Sequence, residues 1–222
     1  MHQKYSGKFL TSIAAAALSA CAMLAPASAQ EINKTALLLQ DLLRFDTTNP
    51  GGRTMEQAQY LKKLFDAAGV PNEIIQTPGE GLVHFIARIK GDGSKKPVLL
   101  AAHSDVVPAE RHTWTMDPFA GIIKDGFVYG RGAMDFKGGQ AVFVRAVLEL
   151  AEKKTPLSRD VIFLAECDEE AGSYGTNWLA KNHWDKIDAE FAINEGGWIF
   201  QDKQGVTRQV NITTWSGWRS RI

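Results

Sequence analysis

Pro97-Val98-Leu99-Leu100-Ala101-Ala102-His103-Ser104-Asp105 carries an apolar run directly into an imidazole and a carboxylate. A run of this kind reads as a strand from Pro97 to Ala102, and open α/β sheets collect ligands where their strands end. Residues two apart in an extended chain share a face. Asp105 is therefore placed to accept a hydrogen bond from one nitrogen of His103 while the other nitrogen faces a metal. Taken alone, the tripeptide also fits a locally satisfied histidine beside an unrelated aspartate.

The same arrangement recurs downstream. Val161 to Ala165 leads into Glu166-Cys167-Asp168-Glu169-Glu170, followed by Gly172, and Phe191 to Ile193 leads into Asn194-Glu195-Gly196-Gly197. Short continuous apolar runs suit strands covered on both faces by helices, and Ser173 to Asn182 supplies a helix between these two. Four carboxylates within five residues are costly without a cation to neutralise them; a solvated acidic loop is the plainer alternative. Adjacent Glu169 and Glu170 cannot both point the same way, so one can hold a metal while the other takes a proton from water. Nor can they straddle a glycosidic bond, whose two carboxyl groups stand about 5 Å or more apart.

Between these strands, Phe119 to Tyr129 contains Lys124-Asp125-Gly126, a hairpin signal. Gly130-Arg131-Gly132-Ala133-Met134-Asp135 follows, its glycines permitting close backbone approach. Phe136 to Lys153 then takes helical spacing through Ala141, Val144, Leu148 and Ala151. With apolar residues on its other faces too, this helix is expected to be largely buried. Asp135 arrives at the helix start, where an N-cap is the plainer role. Asp135 also occupies the third-glycine position of a dinucleotide fingerprint, and Lys137 has no Ser or Thr after it, so the dinucleotide and phosphate-loop readings fail.

Nearer the N-terminus, Glu31 to Phe45 and Met55 to Ala68 read as amphipathic helices separated by the turn-forming stretch from Asp46 to Gly52. Glu73 to Gln76 and Leu82 to Ile89 read as strands. Strands alternating with helices imply an α/β fold, with a mixed, largely parallel sheet flanked by helices.

Residues 1–29 have the layout of an export signal: Lys4 and Lys8, an apolar run from Phe9 to Leu24, and the small-x-small site Ala27-Ser28-Ala29. Export to the periplasm or beyond the cell is the expectation, with a lipobox at Leu18-Ser19-Ala20-Cys21 as the rival processing site. No run reaches the ~20 apolar residues of a spanning helix. Across the 222 residues, 25 basic side chains balance 25 acidic ones, which leaves no electrostatic footprint for nucleic acid. Beyond the signal Cys167 is the only cysteine, so no intramolecular disulfide is expected.

Several segments together carry a specific resemblance: His103-Ser104-Asp105-Val106-Val107-Pro108, Trp114 with Asp117-Pro118-Phe119, Gly130 to Gly139, Asp168-Glu169-Glu170-x-Gly172, and Asn194-Glu195-Gly196. In order and context the chain resembles the aminoacylase/carboxypeptidase G/succinyl-diaminopimelate desuccinylase family of di-zinc hydrolases, over nearly everything after the signal. The resemblance implies a zinc-exopeptidase-like fold and two zincs, with cobalt or manganese as substitutes. It implies that Asp135 bridges the metals, that His103 and Glu195 complete one site, and that Glu170 serves the other. Asp105 would stand behind His103, and Glu169 would be the general base, taking a proton from water and returning it to the leaving amine. A cis peptide is implied at Asp135-Phe136. The implied reaction is hydrolysis of an amide bond in a small peptide or N-acyl amino acid.

The chain departs from the family after Asn211-Ile212-Thr213-Thr214. Trp215 to Ile222 does not resemble the family's next strand, and the lid or dimerisation domain and a last histidine ligand are not found. His112 and His183 read as surface residues rather than that ligand. Residues 30–222 are accordingly expected to form an incomplete catalytic domain, a truncated copy with impaired hydrolysis, with a homodimer expected only for the full-length form. The alternative is an inactive metal-binding or protein-binding fragment.

Overall fold

The computed structural model describes residues 33–211. The expected signal, with Ala27-Ser28-Ala29 and Cys21, lies outside the described residues, as does the stretch from Ile212 to Ile222. Alternation along the strands builds the fold. In β6 (Val161–Glu166) every residue is buried; Val161, Phe163 and Ala165 join one core, while Ile162 and Leu164 join the other. A strand buried on both faces needs helices on both sides of its sheet, and the chain supplies them.

On the first side lie α1 (Lys34–Leu43), α2 (Met55–Ala67) and α3 (Lys137–Glu152). Leu38, Leu42, Leu61, Phe65 and Val144 meet Phe85 and Phe163 there, with the Phe65 and Phe163 rings stacked at 5.8 Å. On the second side α4 (Tyr174–Asn182) and the short α5 (Trp184–Ile187) bring Leu179 and Ile187 against Ile75, Ile86, Leu99 and Ile162. The α3 helix is more one-sided than its sequence suggests. Lys137, Gln140, Ala141, Val144, Val147 and Leu148 are buried, while Val142 is exposed on the opposite side.

The five-stranded sheet has the order β1-β2-β6-β3-β7, with β1 at Asn72–Gln76, β2 at Val83–Ile89, β3 at Val98–His103 and β7 at Phe191–Ile193. Antiparallel pairing joins β1 to β2 and β2 to β6, whereas β6, β3 and β7 run parallel. The C-terminal ends of those three parallel strands therefore emerge at one edge, each followed by acidic residues. The expectation that β7 is covered on both faces is not met. It pairs with β3 alone, and Phe191 and Ile193 are about half exposed. An apolar run marks a strand, but burial depends on a covering element, and none lies over β7 among the described residues.

The expected hairpin forms as β4 (Ile122–Lys124) and β5 (Phe127–Tyr129), turning on Asp125 and Gly126, both at positive φ; two consecutive left-handed residues suit a type I′ turn. A second hairpin, β8 (Trp198–Gln201) with β9 (Thr207–Asn211), is exposed along most of its length. No helix among the described residues is long and apolar enough to cross a membrane.

Candidate metal centre

β3 ends on His103, whose backbone lies in register with Glu166 at the end of β6. The imidazole is buried and flanked by the ring of Phe136, 6.1 Å away and 26° from parallel. Its Nδ1 lies 2.9 Å from the carbonyl oxygen of Asp105 and 3.5 Å from Asp105 Oδ1. The nearer partner is thus the backbone carbonyl, not the carboxylate that the two-residue spacing suggested. The chain leaves its extended course after His103, and the Asp105 carboxylate is engaged elsewhere. It accepts the Asn49 side-chain amide at 2.5 Å and the backbone N–H groups of Glu169 and Glu170 at 3.1 and 3.0 Å. Burial opposes ionisation of Asp105. His103, the Asn49 amide and the Glu170 N–H nevertheless hold its carboxyl below the usual carboxylate range.

The other imidazole nitrogen, Nε2, lies 2.9 Å from Asp135 Oδ1 and 3.6 Å from Glu195 Oε2. Asp135 is not an N-cap. Phe136 holds the cap position of α3 with no side-chain capping bond, and the Asp135 carboxylate turns to His103 instead. The Asp135-Phe136 peptide is cis, as the family resemblance implied, and so is Asn49-Pro50. Gly132 is required in this loop: its φ is +85°, and a Cβ there would sit 2.7 Å from Val106 Cγ1.

Glu169 and Glu170 open a single 3-10 turn, Glu169–Ala171, which Gly172 closes in the left-handed region. The turn is anchored from below by Asp168, a buried residue whose Oδ2 accepts the Gly175 N–H at 2.7 Å. Two groups of side chains bring their ligand atoms within 4.8 Å of one another: His103, Asp135 and Glu170 form one, and His103, Glu169 and Glu195 the other. All five expected acidic and imidazole side chains other than Asp105 thus converge at one edge of the sheet. The expected partition assigned Glu170 to the metal opposite His103; here each of the two adjacent glutamates falls in a group that shares the one imidazole.

The electrostatics are those of crowded acids. Burial, followed by the negative charge of Asp135, raises the Glu170 carboxyl. Burial also raises Glu195, against the opposing pull of His103 and with the negative charges of Asp135, Glu169 and Glu166 adding to the rise. Burial works to depress His103, but its hydrogen bonds to Asp105 and Asp135 and the nearby carboxylates lift it to about 10. Without a cation, His103 is the group that neutralises the cluster.

The other described histidines stand apart from it. His112 is exposed, His183 is half-buried against Trp178, and His84 is buried beside Cys167, 3.7 Å from its sulfur. Two further residues belong near the centre and carried no assigned role in the sequence. Glu166 is a buried carboxyl raised by that burial and held by the Thr176 hydroxyl. Asn49 sits in a stretch legible only as turn-forming. For Glu166 the signal was its place in the acidic run; for Asn49 there was none.

A family model for peptidase family M20/M25/M40 matches residues 99–215. The chain is 36% identical over 154 residues to a probable succinyl-diaminopimelate desuccinylase of Staphylococcus aureus, covering 68% of this chain and 36% of that protein. It is 32% identical over 148 residues to a human N-fatty-acyl-amino acid synthase/hydrolase, covering 66% of this chain and 30% of that one. Among solved structures, the M20 family metallo-carboxypeptidase Sso-CP2 from Sulfolobus solfataricus superposes with a TM-score of 0.67 at 29% identity, over 78% of this chain and 39% of that one. The chain thus spans roughly a third of the length of these curated relatives. With the acids and imidazole converging at one edge of the sheet, and the family match running through all of them, the chain belongs to peptidase family M20/M25/M40.

Proposed function

We propose that this chain carries the metal-binding part of a zinc-dependent hydrolase that cleaves the amide bond of a small peptide or N-acyl amino acid. The observation that supports it most is the meeting of His103, Asp135, Glu169, Glu170 and Glu195 in two groups of three whose ligand atoms lie within 4.8 Å of one another. One imidazole with several carboxylates is a donor set that suits zinc, and cobalt or manganese as substitutes. The raised carboxyls of Glu170 and Glu195 fit it too, since they mark negative charge that a cation would offset. His103, Asp135, Glu170 and Glu195 would hold the metal. When bound, the cation supplies Lewis-acid polarisation of the substrate carbonyl and acidifies water.

The remaining work falls to the chain's own groups. The Asp105 carbonyl fixes the His103 tautomer by accepting from Nδ1, leaving Nε2 to face the cluster. The Glu169 carboxylate, in the cluster but adjacent to a ligand, takes the proton from water and delivers it to the departing amine. The desuccinylase, the acyl-amino acid hydrolase and the carboxypeptidase named above support a bond between an acyl group and an amino nitrogen. Both three-residue clusters rely on the same imidazole, which supports one firmly held cation, a second held weakly, and low turnover. Export directed by residues 1–29 belongs to the same proposal, and the N-terminal residue of the mature protein tests it.

The decisive experiment combines metal counting with turnover. Purified chain stripped by chelator and reloaded should retain zinc. Glu169→Gln should keep that zinc and lose hydrolysis across a panel of dipeptides and N-acyl amino acids. Failure of the unaltered chain to take up zinc or cobalt sinks the proposal.

A further inference from the structure

We infer that Asn49 is a positioning residue of this metal centre: its side-chain amide aims the Asp105 carboxylate so that one buried anion joins the His103 strand end to the Glu169–Glu170 turn. The inference rests on the proposed reading of the centre. Asn49 is buried and reaches the site from a loop 54 positions before His103 in the chain. Its orientation is determined by its partners. Oδ1 accepts the Gly52 N–H at 3.1 Å, so the NH2 group must be the end that lies 2.5 Å from Asp105 Oδ2. A carboxylate could accept from nothing else there, because only the amide nitrogen carries protons.

The loop that presents this amide is itself clamped to the Asp105 segment. Asn49 N–H donates to the Val106 carbonyl at 2.9 Å, Val106 N–H returns a bond to Thr47 at 3.1 Å, and the Thr47 hydroxyl bonds the Ser104 carbonyl at 2.6 Å. On its far side the same carboxylate divides its oxygens between successive amides, Oδ1 to Glu169 and Oδ2 to Glu170. The two backbone amides tie the carboxylate to the turn, and the Asn49 bond to Oδ2 ties it in addition to the separate loop that carries Thr47 and Asn49. Bonds to an ionised acceptor are about twice as strong as neutral ones, so loss of the amide should be felt at both glutamates. Asn49 acts through Asp105 on the groups that would meet the cation.

The test uses the 222-residue chain with cobalt as probe, because its visible absorption reports coordination geometry. Asn49→Ala removes the donor, and Asn49→Asp keeps the shape while setting a second carboxylate against Asp105. Both should weaken cobalt binding by about 10–100-fold, the usual cost of losing a partner behind a ligand, and shift the cobalt spectrum. In the metal-free protein both should speed hydrogen exchange at the Glu169 and Glu170 amides. Phe65→Leu, in the core between α2 and the sheet, should lower the melting temperature and move neither readout. Cobalt affinity, spectrum and exchange in both Asn49 variants that match the unaltered chain would overturn the role of Asn49 while leaving the metal centre standing. An unaltered chain that takes up no cobalt overturns the metal reading and this inference with it, whereas unchanged exchange overturns the Asn49 link alone.

Discussion

The two sides of the metal centre are held in unlike ways. On the β3 and β6 side, His103 and Asp105 are almost wholly enclosed, and the 3-10 turn carrying Glu169 and Glu170 hangs from Asp105 by two backbone hydrogen bonds. On the β7 side, Glu195 follows a three-residue edge strand whose residues are all exposed, and the next hairpin presents Trp198 at 72% exposure. Hydrogen bonds and packing set the first side before any cation arrives, which is what a preorganised site requires. The second side rests on pairing with β3 along one edge, so Glu195 should complete its geometry only when a cation binds. Local stability follows burial and hydrogen bonding, and the two sides should therefore respond differently to the same kind of damage.

The largest difference is expected in folding stability. Asp105→Ala strands three donors, the Asn49 amide and the amides of Glu169 and Glu170, in a buried place. Breaking such an arrangement from one side costs about 3 kcal/mol or more. Glu195→Ala removes a partly exposed acid whose ionisation the fold already resists, and its cost should stay within about 1 kcal/mol. Urea unfolding of the metal-free chain measures both, and equal losses would break the contrast.

Metal affinity should separate the sides less sharply. His103 belongs to both candidate ligand groups, so His103→Ala should lower zinc affinity by more than about 100-fold, beyond what removing a supporting partner does. Glu195→Gln should cost about tenfold, since it weakens one group only and leaves His103, Asp135 and Glu170 in place. Competition with a chromogenic chelator gives both numbers. A Glu195→Gln loss as large as that of His103→Ala would show the β7 side to be as firmly set as the other.

A third expectation concerns protons. His103 has a folded value of about 10, above its ordinary 6.5, so in the metal-free protein its charged form is favoured at neutral pH. For a group raised in this way, the stability it contributes is complete below the unfolded value and is lost as pH climbs through the folded one. Glu170 and Glu195 are also raised, so their contribution likewise declines as pH rises through their folded values. A cation must displace the His103 proton to reach Nε2. Calorimetric titration at pH 7 in buffers of different ionisation enthalpy should therefore show release of about one proton per cation, with affinity rising with pH. Binding without proton release would mean that His103 is not the neutralising group.

How much of this was readable in advance follows the same division. His103, Asp135, Glu169, Glu170 and Glu195 were legible because each follows an apolar strand or a glycine-rich loop, and strand ends are local features. The four longer helices and the five sheet strands fell within about three residues of their expected bounds for the same reason, whereas the one-turn helix Trp184–Ile187 was not anticipated. What escaped depended on contacts between distant segments. Asn49 meets Asp105 across 56 positions, and an Asn-Pro pair in a loop says only that the chain turns. The two amides that hold the Asp105 carboxylate arrive from 64 and 65 positions away, so the spacing within His103-Ser104-Asp105 brought out the carboxylate, 3.5 Å from Nδ1, but not the backbone carbonyl that lies nearer at 2.9 Å. The exposure of β7 escaped because hydrophobicity records what a strand could bury rather than what lies over it.

The smallest expected effect is at that strand. Phe191 is about half exposed at the sheet edge, and the guanidinium of Arg159 lies over its ring at 5.2 Å. Arg159 is also paired with Glu190 at 2.7 Å, so its position does not depend on the ring alone. Truncation to Phe191→Ala removes an exposed cation–π contact, of order 0.5–1 kcal/mol, together with the buried half of the ring's apolar surface. Against this, a large residue that already meets water leaves little cavity behind. The net cost should be about 1 kcal/mol, well below the 3–5 kcal/mol typical of a buried phenylalanine. Zinc affinity should change by less than about threefold, because residues 191–193 hold Glu195 through backbone pairing with β3, which the side chain does not make. Urea unfolding and zinc titration of the same variant check both parts. A loss of several kcal/mol would show that β7 is packed as firmly as β6, and the distinction between a preset side and a loosely held side of the centre would fail at its weakest strand.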